Sequence, residues 1–323
     1  MNQYLKVTQR FLAVSVIAVL MAGCGGSSQN DGTAAPDSVG SSLPVKVIVS
    51  IVPQAWIVDQ IGGALVQVEV LAPPHHSPET YQITPRQMDA LGKAALYFRI
   101  GMPFEGALVD RLHSTFPKLV IADTRNNVPM LTLSAHHHDD ADEHEHEHEH
   151  EHEHGNEDPH IWLDPLRVKI QAHTVFHALL SKLPEQEAAL RQNLQGLENT
   201  LDSLHAELSG LLDPYRGRTF FVYHPAFGYF ADRYGLLQQA VEFEGKSPGA
   251  QRLYALIDDI RQSGATAIFT QPQFNVAELT AVARSAGVEM VTLDNLLYDY
   301  PESMRAIGRA IAGGLHRSDS YPG

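Results

Sequence analysis

The chain has 323 residues, with 23 Lys plus Arg against 38 Asp plus Glu, and a formal charge of −15. Apolar residues make up 44%, which excludes a disordered chain and is enough for a globular body of about two domains. The acidic balance argues against nucleic acid as the main partner, and the single cysteine excludes an internal disulfide and any Cys-based zinc or iron–sulfur site.

At the N-terminus, Lys6 and Arg10 precede an apolar run from Phe11 to Ala22. The run is too short to span a bilayer as a mature helix but fits the core of a signal peptide. It ends in Leu20-Met21-Ala22-Gly23-Cys24, where small residues directly before a cysteine resemble a lipobox. Residues 1–23 are therefore read as a lipoprotein signal peptide and Cys24 as the lipid attachment point. Residues 24–43, rich in Gly, Ser and Asp, read as a flexible tether. The alternative is a signal anchor followed by a chance cysteine.

Lys46 to Val52 opens the body with a nearly continuous apolar run, as suits a strand buried on both faces. Similar runs recur at Val66–Ala72, Ala94–Ile100, Lys118–Ala122, Thr219–Tyr223, Ala265–Thr270 and Glu289–Leu293. Amphipathic stretches such as Pro85–Lys93 and Ala250–Ser263 lie between them. This alternation predicts an α/β fold with parallel sheets and crossover helices, in two groups, about 44–133 and 216–319. Between the groups, Leu190, Leu194, Leu197, Leu201, Leu204, Leu208 and Leu211 step by 4, 3, 4, 3, 4, 3. That stripe predicts one helix of about 28 residues, roughly 42 Å long, starting at Pro184 and stopping before Pro214. It is read as a rigid strut across two lobes rather than a coiled-coil seam. The expected boundaries are 44–183 for the first lobe, 184–213 for the linking helix and 214–323 for the second lobe.

Ligands of open parallel sheets bind beyond the carboxyl ends of the strands. His75 and His76 follow the second strand, His224 follows Thr219–Tyr223, and Asp294 follows Glu289–Leu293. His160 sits between prolines in Asp158-Pro159-His160-Ile161-Trp162-Leu163-Asp164-Pro165. Two or three imidazoles plus a carboxylate form a first-row metal set. His173 and His177, four apart on a predicted helix, read as an exposed face, and His113, His205 and His316 as surface residues.

The segment from His136 to His160 holds 11 acids, no Lys or Arg and 10 of the 18 histidines; without it the chain would carry −4. Its core, His144, His146, His148, His150, His152 and His154, alternates with Glu. Within 134–157 there is too little apolar surface for a core, so the segment reads as a loop of weak, exchangeable metal ligands whose grip loosens as imidazole protonates. Imidazole-rich donors suit zinc better than manganese, which prefers oxygen.

Taken together, LAPPHHSPETYQITPRQM, DPHIWLDP, HPAFGYF, EFEGKSPGAQRLYALIDDIRQSGATAIFTQPQFN and LDNLLYDYPESM resemble the zinc- and manganese-binding solute receptors of ABC importers, the class whose lobes are joined by one long helix. The His-rich insertion before DPH looks like the zinc-type branch. The resemblance implies two α/β lobes, a metal ion in the cleft between them, and an extracytoplasmic monomer that serves a permease and its ATPase. His160, His224 and Asp294 match family ligand positions. The family commonly shows PHxY where this chain has Pro78-Glu79-Thr80-Tyr81. His76 is assigned as the first ligand, with Glu79 as the alternative or an added oxygen ligand and His75 third. Only small lobe motions are expected, with the His–Glu loop collecting ions or limiting uptake. A manganese receptor, a metallohydrolase and a surface adhesin are the competing readings; the absence of HExxH and GxSxG weighs against the hydrolase.

Overall fold

The computed structural model describes residues 43–132, 157–242, 249–274 and 277–316. The predicted signal peptide, Cys24, nearly all of the tether and the histidines from His136 to His154 lie outside the described residues. No helix among those described is long and apolar enough to cross a membrane.

The first lobe runs β1 (Val45–Val49), α1 (Val52–Gly62), β2 (Val66–Val70), α2 (Pro85–Lys93), β3 (Leu96–Arg99), α3 (Glu105–Thr115) and β4 (Val120–Asp123). Two long helices follow, α4 (Pro165–Lys182) and α5 (Glu187–Leu212). The second lobe is β5 (Thr219–Val222), α6 (Gly228–Tyr234), β6 (Leu237–Ala240), α7 (Ala250–Ser263), β7 (Ala267–Thr270), α8 (Ala277–Ala286), β8 (Glu289–Thr292) and α9 (Tyr300–His316). Each lobe holds one four-stranded sheet, ordered β2-β1-β3-β4 and β6-β5-β7-β8, and every pairing is parallel. Strand β6 was not among the predicted runs. Its sequence, Leu-Gln-Gln-Ala, lies at a sheet edge with Leu237 exposed, so it carries none of the apolar continuity of a central strand.

Side-chain alternation divides the core into layers. Val47 and Val49 of β1, with Leu96 and Phe98 of β3, face an inner core; Ile48 and Tyr97 between them face an outer one under α2 and α3. The second lobe repeats this. Phe220, Val222 and Phe269 face the inner core, while Phe221 and Ile268 pack beneath α7 and α8. The inner core is continuous from one lobe to the other. It passes through the leucine stripe of α5, whose Leu190, Leu194, Leu197, Leu201, Leu204, Leu208 and Leu212 are all buried. Helices α1 and α4 cover one part of that stripe and α9 another, so the leucines are used inside the chain and leave no coiled-coil seam. Pro184 opens a 3-10 turn, Pro184–Gln186, and the α-helix starts at Glu187; Pro214 lies in the 3-10 turn that ends it. Gly308 lets α9 lie close on α5: a Cβ there would stand 2.6 Å from Leu208 Cδ2.

Polar contacts tie the lobes. Trp162 Nε1 donates to the Asn295 carbonyl at 2.9 Å, and the Tyr298 hydroxyl donates to Asp59 Oδ2 at 2.7 Å. Asp164, fully buried, caps α4 through Leu166 N at 2.9 Å. It also holds Arg167 and Arg233, each at 2.7 Å, which supplies the paired charge a buried carboxylate needs.

Candidate metal centre

His160 is held by its own sequence neighbourhood. Asp158 N donates to the Leu131 carbonyl at 2.8 Å, and the Tyr229 hydroxyl donates to the Asp158 carbonyl at 2.7 Å. Asp158 Oδ1 then accepts both the backbone N–H of His160, at 2.9 Å, and its ring Nδ1–H, at 2.6 Å. The other carboxylate oxygen rests against Gly228, where a Cβ would come within 2.7 Å of it. Residues Ile161–Leu163 turn immediately into α4, so His160 stands at the foot of a capped helix with its ring 3% exposed.

Glu79 lies in the loop between β2 and α2. Thr84 caps α2 and Pro85 starts it. Gln87 of that helix reaches back, Nε2 to the Leu71 carbonyl at 2.6 Å, and accepts from the Tyr81 hydroxyl at 3.0 Å. Ser77 Oγ donates to Glu79 Oε2, which leaves Oε1 to face the histidines. His224 follows β5 after one intervening residue. Its ring stacks on Phe274, with centroids 4.9 Å apart, and its carbonyl accepts from Gln271 Nε2 at 3.2 Å.

These three residues converge. Glu79 Oε1 is 3.2 Å from His160 Nε2 and 3.4 Å from His224 Nε2. One donor atom from each residue lies within 4.8 Å of the others. Donors at about 2.0–2.1 Å around a tetrahedral zinc ion are separated by about 3.3–3.4 Å, so these spacings are those of two edges of such a tetrahedron. Both ring nitrogens of His224 are buried without a hydrogen-bond partner among the described residues; Nδ1 is 3.4 Å from Glu242 Oε2, but neither contact meets hydrogen-bond geometry. A small adjoining cavity, ≈ 10 Å³ or about one water-sized sphere, is lined in part by Glu79, His224, Gln271 and Leu296.

The electrostatics favour positive charge at this point. Burial opposes charge on His160, but Asp158 and Glu79 outweigh it and push its pKa up to about 9. Burial likewise opposes charge on His224, and Glu242 and Glu79 overcome it, so its pKa is raised. Burial would raise Glu79, yet the hydrogen bond from His160 and the charges of both histidines hold it well below the carboxylate range. Protons on the imidazoles do here what a cation does when bound: they neutralise the shared carboxylate.

A model of the family described as zinc-uptake complex component A, periplasmic (ZnuA), matches residues 47–314. The chain belongs to this family. It is 32% identical over 266 residues to the high-affinity zinc uptake system protein ZnuA of Yersinia pestis, covering 77% of this chain and 82% of that one. A crystal structure of ZnuA superposes with a TM-score of 0.75 at 33% identity, over 84% of this chain and 99% of the other. The periplasmic zinc-binding protein TroA of Treponema pallidum, at 20% identity, shares the fold with a TM-score of 0.72 over 84% and 99% of the two chains.

Among the candidate donors read from the sequence that lie in the described residues, the structure brings Glu79, His160 and His224 together and leaves His76, His75 and Asp294 apart. His76, assigned there as the first ligand, is exposed. Its Nδ1 faces the Pro74 carbonyl at 3.3 Å and its ring meets Tyr81 edge-on. His75 is exposed at a positive φ of 69°. The place nearest the other donors is taken by Glu79, the alternative named for the first ligand. Asp294 is also outside the converging group: its Oδ1 accepts from Leu296 N at 3.0 Å, closing the turn after β8. His173 pairs with Glu198 at 3.1 Å on the surface. His205, read as a surface residue, is half-buried and stacks on Tyr234, with its Nδ1 enclosed. Two residues received no role from sequence reasoning, Asp158 and Glu242. The Asp-Pro-His spacing was a usable signal for the first, since a carboxylate two residues before a histidine reaches both its backbone and its ring. Glu242 lies just past the unpredicted strand β6.

Proposed function

We propose that this chain captures one zinc ion between Glu79, His160 and His224 and delivers it to an ABC-type importer, a permease with its ATPase. The convergence of one carboxylate oxygen and two imidazole nitrogens from three separate segments carries this reading. Three donors, one a carboxylate whose second oxygen is engaged by Ser77, suit a four-coordinate zinc ion better than manganese, which seeks about six oxygens. Asp294 or a water is available as the fourth donor. The ion is cargo, and the chain is a solute-binding component rather than an enzyme. Export through residues 1–23, lipid attachment at Cys24, a tether over 24–43 and a His–Glu loop that collects ions complete the proposal. So do lobes at 44–183 and 214–323 about the helix 184–213, acting as a monomer.

Competition titration with a zinc chelator, together with anomalous scattering at the zinc edge from metal-soaked crystals, tests it. The expected result is one tight ion on Glu79, His160 and His224. An ion seated elsewhere, or equal affinity after each residue is changed to alanine, would overturn it. For the anchor, a Cys24→Ser variant is expected in the soluble extracytoplasmic fraction.

A further inference from the structure

His160 and His224 come from segments far apart in the chain, yet their rings meet with centroids 5.3 Å apart. Gly228 and Tyr229, the first two residues of α6, grip Asp158 at both of its ends. The Tyr229 ring is fully buried. Its hydroxyl donates to the Asp158 carbonyl at 2.7 Å and accepts from Leu131 N at 3.0 Å, across 71 and 98 positions of chain. Met130 Sδ, at 3.8 Å, is a more distant acceptor for the same proton. Arg167 lies over the ring, Cζ 4.6 Å from its centroid, and is held there by Asp164 at 2.7 Å and the Pro129 carbonyl at 3.0 Å. Gly228 meets the side-chain end: a Cβ there would stand 2.7 Å from Asp158 Oδ2. Gly228 is not among the glycines with positive φ, so space rather than backbone conformation calls for glycine here. Asp158 in turn accepts from both the backbone N and the ring Nδ1 of His160.

We propose that Gly228 and Tyr229 are positioning residues for ion capture: they fix Asp158, and through it His160, at the distance from His224 that a shared ion needs. This inference rests on the zinc site proposed above. His224 and Tyr229 belong to one short segment between β5 and α6, braced by Gln238, whose Oε1 accepts from Phe227 N at 2.6 Å. A displacement of Asp158 is therefore carried to His160 while His224 stays with β5. A few tenths of an ångström are enough, because donor–metal distances hold to within about 0.2 Å.

Chelator competition and the visible spectrum of the cobalt(II)-loaded protein test it on three variants. Tyr229→Phe keeps the ring and its contact with Arg167 but removes both hydrogen bonds. Gly228→Ala keeps both bonds but displaces the carboxylate. Each is expected to weaken zinc binding about 10-fold, the lower end of what outer partners of a ligand contribute, and to alter the cobalt d–d bands, which report the geometry around the ion. Tyr298→Phe removes a hydroxyl bond between the lobes that does not touch Asp158; it is expected to do neither, at a comparable loss of denaturant midpoint. Incorporating 4-aminophenylalanine at position 229, which restores a donor at the same place, is expected to recover most of the affinity. An affinity within about twofold of the parent with an unchanged cobalt spectrum overturns the inference for the residue concerned. An equal loss in Tyr298→Phe overturns it for both, since the effect would then be that of any tie between the lobes. Should Tyr229→Phe fold poorly, Gly228→Ala still decides. Unchanged affinity in His160→Ala would instead mean that the site itself is wrong, which separates the two failures.

Discussion

In the first lobe Glu79 is carried on the long loop between Val70 and Pro85, beyond an edge strand. In the second, His224 follows the central strand β5 almost at once. The sheets have matching order, yet they deliver these side chains differently. A residue next to a central strand inherits its position from the sheet, at the point where the connections diverge to either side. A residue on a long loop must be fastened separately, and Gln87, Tyr81 and Ser77 do this for Glu79. The loop is therefore where the side chain presented to the centre can change with little cost to the fold. His160 belongs to neither sheet: it is fixed by Asp158 and by the start of α4.

The comparison breaks most severely if the fastened loop donor is dispensable. Glu79→Ala and His160→Ala are each expected to weaken zinc binding by more than about 100-fold, beyond what loss of an outer carboxylate costs, measured by chelator competition. His76→Ala is expected to stay within about threefold; a loss equal to that of Glu79→Ala would return the first ligand to His76. The shared helix should matter to both lobes at once. Leu204→Ala, at a fully buried position, is expected to destabilise by about 2–5 kcal/mol and to lower one cooperative thermal transition followed by circular dichroism. Two separate transitions would show that the lobes unfold independently.

Acid should sharpen the contrast further. In the ion-free protein His160 holds its proton up to about pH 9, and the His224 pKa is raised as well. Zinc must displace those protons, so apparent affinity should rise with pH through neutrality and level off above the folded-state values. The expected slope between pH 6 and 8 is about one to two decades per pH unit, one per proton released. A flat profile would mean that the imidazoles are not the donors. Because the His160 pKa is raised on folding, its protonated form stabilises the ion-free protein fully below about pH 6.5 and this is lost as pH rises through about 9. The smallest effect is expected at the interlobe tie. Tyr298→Phe removes the bond to Asp59, which burial already shifts upward, and should cost about 1–3 kcal/mol in denaturant unfolding, with zinc affinity little changed.

Much of the architecture was legible because it repeats locally. Val47 to Val49 and Phe220 to Val222 are apolar on both faces, which is the pattern of a central parallel strand. The leucine stripe announced a long helix with one buried side. Strand β6 was not legible, since Gln238 and Gln239 occupy an edge where only one neighbour is needed. Within the centre, His160 and His224 were readable from their positions between prolines and after a strand. The choice of Glu79 over His76 was not, because both lie in one loop and only its folding decides which atom faces inward.

By itself the sequence determined which segments become strands, which face of α5 is buried, and that imidazoles would gather beyond strand ends. These are consequences of period and composition, and each can be read within about ten residues. The tertiary structure alone decided that Glu79 meets His160 across 81 positions of chain, that Asp294 instead caps its own turn, and that Asp158 and Glu242 stand behind the rings. A donor set is a matter of tenths of an ångström between distant segments, and no local periodicity carries that information.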